Sequence, residues 1–308
     1  MDIDNTFSPL ANLRETKAVL QKHGLSAKYC MGQNFLVNEG IIRHIISLSQ
    51  CCCKDCVLEV GPGIGTLTMA LLKNAKAVVS IERDFDLPAV LKDTLCGLDS
   101  NFALIQRDAL DVGVDDIAKA IASININTLP NKLIANLPYA IAATLVLDYF
   151  QNLACIDSAT VMVQKEVADR MSASPGSKNY GAYTVKLAMF AQVEGSFLVV
   201  PANFFPQPRV DSTVIRLQRS TVLDKEGSPL SRECIRVACM LADAAFCNRR
   251  KTIYNSIKTY FSNNPKQDAD VDVEQLLRTA EIDSKLRGEA LSQADFVALA
   301  KAWELLQQ

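Results

Sequence analysis

The pattern of apolar and polar positions differs from one region of this chain to another. From Val57 onward, short apolar runs alternate with stretches in which apolar residues recur every three or four positions. Such alternation is typical of strand–helix–strand units and predicts a doubly wound α/β sheet, mainly parallel. The predicted strands are 57–60, 77–81, 102–106, 132–135 and 159–163, and the predicted helices lie near 65–73, 85–95, 114–121, 140–151 and 164–171.

Other patterns flank this alternation. Four isoleucines at helical spacing predict an amphipathic helix over 38–49, and a helix is also predicted over 10–23. Later apolar runs over 189–197 and 213–218 predict an antiparallel edge to the sheet. The proline-rich stretch between them, 201–208, is predicted to be a rigid loop.

The composition changes at 221–229, which is rich in the Asp, Gly, Ser and Pro of a linker. Beyond it, apolar residues repeat at helical spacing to the end of the chain, which predicts helices only. We therefore expect an unassigned N-terminal extension over 1–26, an α/β domain over 27–220 and a small all-helical domain over 230–308.

Composition indicates a soluble globular protein. The chain has 308 residues, of which 49% are hydrophobic and 21% charged. No apolar run reaches the roughly 18 residues of a membrane-spanning helix. The acidic N-terminus lacks the basic and then apolar layout of a signal peptide. We expect a cytoplasmic protein, monomeric and without a membrane partner.

The net charge of −2 is weak evidence against a nucleic-acid partner, but the clustering of charge matters more than its sum. Arg249, Arg250 and Lys251 form the densest basic run in the chain. They are candidate contacts to nucleic-acid phosphates. The alternative interpretation is a solvated helix face.

The ten cysteines and two histidines do not predict a metal site. A Cys-x-x-Cys pair occurs within 51–56, but a structural zinc site normally needs a second ligand pair at a recognisable spacing. Free cysteines in a reducing compartment behave as small hydrophobic residues. With only His23 and His44 present, histidine-dependent nucleophilic catalysis is also disfavoured.

A glycine-rich turn follows the first predicted strand of the alternating region. Its glycines, Gly61, Gly63 and Gly65, allow a tight turn and a close approach to a ligand. A dinucleotide-binding turn would place a glycine at Thr66, so the spacing favours a site for S-adenosylmethionine. Glu82, at the end of the next strand, is placed to accept from ribose hydroxyls, as it would be in either class of enzyme. Asp108, after the third strand, is expected either to bind the cofactor adenine or to cap the following helix.

The string Asn136-Leu137-Pro138-Tyr139 follows another predicted strand. The Asn136 side-chain oxygen and the Leu137 carbonyl are a plausible pair of acceptors for both protons of a nucleobase amine, which would make its nitrogen more reactive. Pro138 restricts the backbone before it, and Tyr139 offers a face on which a base can stack. With the glycine turn, this string predicts methyl transfer to a nucleobase amine. By itself it could be a polar turn.

These motifs and several others resemble the small-subunit ribosomal RNA adenine dimethyltransferase family, in order and over about residues 27–306. They are Gly-Gln-Asn-Phe-Leu at 32–36, Glu-Val-Gly-Pro-Gly-Ile-Gly at 59–65, Asn-Leu-Pro-Tyr at 136–139, Gln-Lys-Glu-Val-Ala at 164–168, Phe-Phe-Pro-Gln-Pro-Arg-Val-Asp-Ser at 204–212 and Ala-Ala-Phe-Cys-Asn-Arg-Arg-Lys-Thr at 244–252.

The resemblance implies a seven-stranded methyltransferase sheet, S-adenosylmethionine as cofactor and dimethylation of two adjacent adenosines in the 3′-terminal hairpin loop of 16S rRNA, in a pre-30S particle. It implies that Phe204 sandwiches the flipped base against Tyr139. By position, the family's cofactor contacts fall on Asn34, Leu36, Gly61, Glu82, Asp108 and Asn136.

Three alternatives stay open at this point. One is a large-subunit rRNA methyltransferase, which shares the catalytic motifs but is disfavoured by the helical C-terminal region. Another is a non-catalytic RNA-binding assembly factor, disfavoured by the intact motifs. The last is a nicotinamide dehydrogenase, disfavoured by Thr66 and by the absence of a histidine near the predicted sheet.

Overall fold

The computed structural model describes residues 7–28, 32–264 and 272–307. The strands are β1 (Phe35–Leu36), β2 (Cys56–Val60), β3 (Ala77–Glu82), β4 (Phe102–Gln106), β5 (Lys132–Asn136), β6 (Ser158–Gln164), β7 (Ala191–Val199), β8 (Phe204–Phe205) and β9 (Ser212–Arg219). The helices are α1 (Leu13–Lys22), α2 (Glu39–Ser49), α3 (Thr66–Asn74), α4 (Leu87–Thr94), α5 (Val114–Ala122), α6 (Ala142–Asn152), α7 (Lys165–Met171), α8 (Ala182–Ala188), α9 (Arg232–Phe246), α10 (Ile253–Asn263), α11 (Val273–Thr279) and α12 (Gln293–Leu306).

Seven strands form one sheet in the order β4-β3-β2-β5-β6-β9-β7. The pairs β2/β3, β3/β4, β2/β5 and β5/β6 are parallel, while β9 runs antiparallel to β6. Every residue of β2 and β3 is buried, as expected where helices cover both faces of a parallel sheet. The predicted doubly wound α/β sheet is confirmed. Its strand order reverses direction between β2 and β5, where such folds bind ligands.

The region around β7 and β8 differs from the prediction. The run predicted as a strand over 189–197 begins later, at Ala191, and is preceded by α8, which the sequence pattern did not indicate. The predicted loop over 201–208 contains β8, which pairs antiparallel with β1. This small second sheet brings the segment 35–36 beside Phe204 and Phe205 although about 170 residues separate them in sequence.

The chain divides into two compact units. The first comprises residues 1–168 and 193–219, and the second comprises 169–192 and 220–308. Residues 169–192 therefore group with the C-terminal helices, whereas their place in the chain predicted that they belong to the α/β domain. The described part of the N-terminal extension, including α1, belongs to the first unit.

The physical reason for the changed boundary lies in the core of the second unit. Val185 and Met189, on and just after α8, are buried in one cluster with residues of α9 and α12. The Tyr180 hydroxyl donates to the Leu291 carbonyl at 2.7 Å, and Lys186 pairs with Asp243 of α9 at 2.8 Å. An insertion between sheet strands thus obtains its hydrophobic partners from the C-terminal helices.

Among the described residues, no helix is long and apolar enough to cross a membrane.

Candidate functional site

A cavity of about 600 Å³ opens at the carboxyl ends of the parallel strands of the first unit. Its size lies in the range of small-molecule sites. The strand ends of β2, β3 and β5 contribute Gly61, Glu82 and Asn136, and Asp108 follows β4. Parallel strands bring these residues together because their carboxyl ends share one edge of the sheet. All but one of the predicted catalytic and cofactor residues line this cavity: Asn34, Leu36, Gly61, Gly63, Glu82, Asp108, Asn136, Leu137, Pro138 and Tyr139.

The glycine turn is built for close approach. Gly61 and Gly63 have φ values of +71° and +59°, a region that L side chains rarely adopt. A Cβ at Gly61 would lie 3.6 Å from Pro138 Cδ, and one at Gly63 would lie 3.2 Å from the ring of Phe35. The turn therefore packs against the Asn136–Tyr139 loop and β1. Side chains are disfavoured at both glycines by the positive φ and at Gly63 also by the nearby Phe35 ring. This leaves the backbone as the cavity wall.

Helix α3 begins directly after this turn with no side-chain cap at Gly65. The hydroxyl of Thr66, its first residue, is buried in the cavity wall, and no described group forms a hydrogen bond with it. An uncapped helix N-terminus with an unsatisfied hydroxyl is an environment that favours a polar or anionic ligand group. The turn and the start of α3 therefore fit a ligand with such a group.

Glu82 is 7% exposed at the end of β3. Burial raises the pKa of its carboxyl, while hydrogen bonds from the backbone N–H groups of Asp84, Gly63 and Arg83 oppose that effect. The Asp84 N–H donates to Oε1 at 2.8 Å. A carboxylate anchored in this way is held rigidly at the cavity wall, where it can accept from ligand hydroxyls.

Asp108 caps the element that follows it and also lies at the cavity wall, so its predicted contact with the cofactor adenine stays a prediction. Its Oδ1 accepts from the Leu110 N–H at 3.1 Å and so caps the short 3₁₀ helix that follows, while the residue also lines the cavity. Its Oδ2 pairs with Arg83 at 3.1 Å. The cap orients the carboxylate, so capping and ligand binding are compatible functions of the same side chain.

Asn136 has a side-chain amide whose orientation is set by one contact. Its Nδ2 donates to the Asn34 carbonyl at 3.2 Å, so Oδ1 is the atom left to accept. Within the described part of the chain, neither Asn136 Oδ1 nor the Leu137 carbonyl has a hydrogen-bond partner. The Leu137 N–H donates to the Met162 carbonyl at 3.1 Å, which fixes this backbone against β6. Two neighbouring acceptors are therefore free beside the cavity.

Tyr139 completes this loop. Its hydroxyl is 2.6 Å from Ser212 Oγ at the start of β9, and burial raises its pKa. The hydrogen bond restricts the ring, which lines the cavity. Phe204 is placed differently: it is 2% exposed, pairs with Leu36 across the small sheet and is not among the residues lining the cavity. Its stacking role stays a prediction.

The predicted RNA contacts lie in the second unit and are not equivalent. Arg249 donates from Nη2 to the carbonyls of Lys178 and Tyr180 at 3.0 and 2.9 Å. Arg250 and Lys251 are exposed, and no described acidic group pairs with either side chain. Arg249 therefore stabilises the unit itself, and the other two residues carry the available charge of this run.

Sequence reasoning gave no function to Glu59 or Asp84. Glu59 is buried at 1% exposure within β2, where Thr68 and Ser80 donate to its Oε2 at 2.8 and 2.7 Å. Burial raises its pKa to about 7. Asp84 is a 3% exposed carboxylate two residues after Glu82. An acidic residue inside or just after a buried strand was the available signal for both.

The cysteine-rich segment after α2 consists of free thiols. Burial raises the pKa of Cys51 and of Cys56 to about 12, so both stay protonated near neutral pH. In the ranges that the structure describes, no group of three or more His, Cys, Asp or Glu side chains is arranged to hold a metal ion.

Comparison with known proteins agrees with this geometry. The chain is 39% identical to ribosomal RNA small subunit methyltransferase A of Clostridioides difficile (strain 630), over 94% of this chain and 96% of the relative. A dimethyladenosine transferase from Plasmodium falciparum has a similar structure, with a TM-score of 0.68 at 25% identity, covering 86% of this chain and 95% of that one. The 23S rRNA methyltransferase ErmE shares the fold, with a TM-score of 0.62 at 23% identity over 88% and 100% of the two chains.

The family of ribosomal RNA adenine dimethylases matches residues 24–299. That range contains the glycine turn, the buried Glu82 and the loop with two free acceptors at Asn136 and Leu137. With a strand-end cavity that unites these groups, the chain belongs to the ribosomal RNA adenine dimethylase family.

Proposed function

We propose that this protein uses S-adenosylmethionine to dimethylate N6 of two adjacent adenosines in the 3′-terminal hairpin loop of 16S rRNA, as a monomer acting on a pre-30S particle in the cytoplasm. The proposal rests mainly on the orientation of the Asn136 amide, which one hydrogen bond holds in place. Because Nδ2 donates to the Asn34 carbonyl, Oδ1 is the free acceptor beside the free Leu137 carbonyl. The relatives named for the small subunit support this choice of substrate.

The residues around the cavity fit the cofactor. S-Adenosylmethionine, when bound, supplies a methyl group on a positively charged sulfur. Glu82 would accept from its ribose hydroxyls and Asp108 from its adenine amine, since both carboxylates are fixed by backbone N–H groups at the cavity wall. The glycine turn, with its bare backbone, would accommodate close contact, and Asn34 and Leu36 beside it also line the cavity.

The chemistry of the acceptor amine follows from the Asn136–Tyr139 loop. The exocyclic nitrogen of adenine is a weak nucleophile because its lone pair is delocalised into the ring. Asn136 Oδ1 and the Leu137 carbonyl would accept its two protons and so favour a pyramidal nitrogen with an available lone pair. No general base is required, because the methylated ammonium is acidic and loses its proton unaided. Pro138 holds the Leu137 carbonyl, and Tyr139 provides the stacking face.

Two alternatives make different predictions. A large-subunit rRNA methyltransferase would modify 23S rRNA, and the likeness to ErmE concerns the fold only. A non-catalytic assembly factor would bind the particle without modifying it. The test is mass spectrometry of both rRNAs after purified protein and S-adenosylmethionine are incubated with ribosomal subunits that lack the modification. Dimethyladenosine at two adjacent 16S positions is expected, whereas modified 23S rRNA or unmodified adenosines would overturn the proposal.

Variants of Asn136 test the mechanism. Asn136→Ala removes an acceptor that matters most as the amine pyramidalises, so turnover is expected to fall by about 10²-fold or more with little change in RNA binding. Asn136→Asp keeps the shape but retains the last N–H more tightly, so monomethyladenosine is expected to accumulate. The control is Asn152→Ala, at the exposed end of α6, where Nδ2 donates to Asp148 Oδ1. An unchanged ratio of products would show that Asn136 does not control the second transfer.

A further inference from the structure

A group of polar side chains beside the cavity has no function in the mechanism above. Its centre is Asp84, a carboxylate that is 3% exposed. Lys28 Nζ donates to Asp84 Oδ1 at 2.6 Å, and Gln33 Nε2 donates to Oδ2 at 2.7 Å. The Asp86 N–H adds a third bond to Oδ1 at 3.1 Å. Three donors, one local and two from the distant segment 28–33, thus converge on one buried anion.

The Gln33 amide is used at both ends. While Nε2 donates to Asp84, Oε1 accepts from the Lys28 N–H at 2.9 Å. Lys28, Gln33 and Asp84 therefore form a closed ring of hydrogen bonds, in which each residue bonds to the other two. Burial raises the pKa of Asp84, but the bonds from Lys28, from the Asp86 N–H and from Gln33 hold it below the usual value. Asp84 is ionised at neutral pH.

The ring lies between the two halves of the site. On one side, the Asp84 N–H donates to Glu82 Oε1 at 2.8 Å. On the other, Gln33 is followed directly by Asn34, whose carbonyl accepts from Asn136 Nδ2 at 3.2 Å. A continuous series of hydrogen bonds and one peptide link therefore runs from Glu82 through Asp84, Gln33 and Asn34 to Asn136.

We propose that Asp84, acting through Gln33, is a positioning residue that holds Glu82 and the Asn34 carbonyl in their binding geometry before the cofactor arrives. Asp84 need not touch the ligand. It fixes the segment that orients the Asn136 amide and the carboxylate that accepts from ribose. Pre-organisation of this kind improves affinity because the ordering cost is met in the free protein. The inference rests on the proposed use of S-adenosylmethionine.

The experiment is titration calorimetry of the full chain with S-adenosylmethionine and with S-adenosylhomocysteine. Asp84→Asn removes the negative charge to which the donors bond. Its side-chain amide would also place an N–H donor against Gln33 Nε2 or Lys28, which are donors themselves. We expect affinity for both ligands to fall at least about tenfold. The matched control is Asp86→Asn, because the Asp86 carboxylate also bonds Lys28, at 2.7 Å, but bonds neither Gln33 nor Glu82. Its affinity is expected to stay within about twofold of wild type.

Exchanging the hydrogen-bond donor and acceptor between positions 33 and 84 distinguishes a positioning role from a general effect on stability. Gln33→Glu places two carboxylates together and is expected to weaken binding. The double variant Gln33→Glu with Asp84→Asn restores one donor and one acceptor with reversed direction. We expect the double variant to recover at least half of the lost affinity on a logarithmic scale. The coupling between the two positions is then obtained from a double-mutant cycle. Gln33→Met, which leaves Asp84 in place, serves if Asp84→Asn does not fold, and it too is expected to weaken binding about tenfold.

The outcomes are distinct. If wild-type protein binds neither ligand, the proposed function itself fails. If wild type binds and Asp84→Asn or Gln33→Met binds equally well, the positioning function is refuted while methyl transfer stands. A loss of affinity that is as large in Asp86→Asn, or that the double variant does not recover at all, would also overturn the inference, since it would reflect only altered charge or stability.

Discussion

The buried carboxyl of Glu59 gives a quantitative prediction about how the stability of the protein depends on pH. Its carboxyl is buried in β2 and accepts from Thr68 and Ser80 through a single oxygen, Oε2. Glu59→Gln keeps the shape and leaves an amide oxygen that can accept both hydroxyl bonds. The substitution removes the ability to ionise and little else. We therefore expect it to change how stability depends on pH more than it changes the fold.

The sign follows from the pKa of Glu59 in the two states. Burial raises it from 4.5 to about 7 in the folded protein, so the folded state favours the protonated carboxyl. The stability that this preference contributes is fully present below about pH 4.5 and is lost as the pH rises through about 7. At about 1.36 kcal/mol per pH unit, the difference amounts to about 3 kcal/mol at most. At pH 8, Glu59→Gln is thus expected to be more stable than wild type by up to that amount, and at pH 4.5 by almost nothing.

The assay is urea unfolding of the cofactor-free protein at several pH values from 4.5 to 8.5, with the free energy of unfolding compared between variants. Glu15→Gln, a half-exposed residue of α1, controls for the loss of a charge in the same unit. A difference between Glu59→Gln and wild type that grows with pH supports the reasoning. Parallel profiles for the two proteins would show that Glu59 is ionised in the fold despite its burial, and would refute it.

The remaining predictions concern the cofactor and the RNA. Glu82→Ala is expected to weaken S-adenosylmethionine binding at least about tenfold with the fold intact, because the lost bonds are charge-assisted; unchanged affinity by calorimetry would remove Glu82 from the site. Arg250→Ala with Lys251→Ala is expected to lower the salt slope of RNA binding by up to roughly two units, one for each lost phosphate contact, measured by filter binding at several salt concentrations. Arg249→Ala is expected instead to reduce stability by about 1 kcal/mol in thermal unfolding, because its guanidinium donates to two backbone carbonyls. A salt slope lowered as much by Arg249→Ala as by the double variant would contradict this division.

Local pattern was sufficient for the parallel strands and for the site residues at their carboxyl ends. A parallel strand buried on both faces must be apolar throughout, and a tight turn after it needs glycine, so β2 and Gly61 could both be predicted. Once the strands were known to be parallel, the convergence of Glu82, Asp108 and Asn136 followed, since the carboxyl ends of neighbouring strands share one edge. The family resemblance and the cavity lining agree on these residues.

Tertiary structure decided what no local pattern encodes. Phe204 falls in a predicted loop, yet it lies in a strand that pairs with a segment almost 170 residues away, and it is buried. Arg249 reads as free charge, yet carbonyls about 70 residues earlier in the chain accept from it. The link from Asp84 to Gln33 spans 51 residues and that from Asn136 to Asn34 spans 102. The sequence by itself determined which residues form the parallel strands and the motif turns, because periodicity and turn chemistry act between near neighbours. The partners of buried polar groups were decided only by the folded chain, because a hydrogen bond between distant segments leaves no periodic trace in either one.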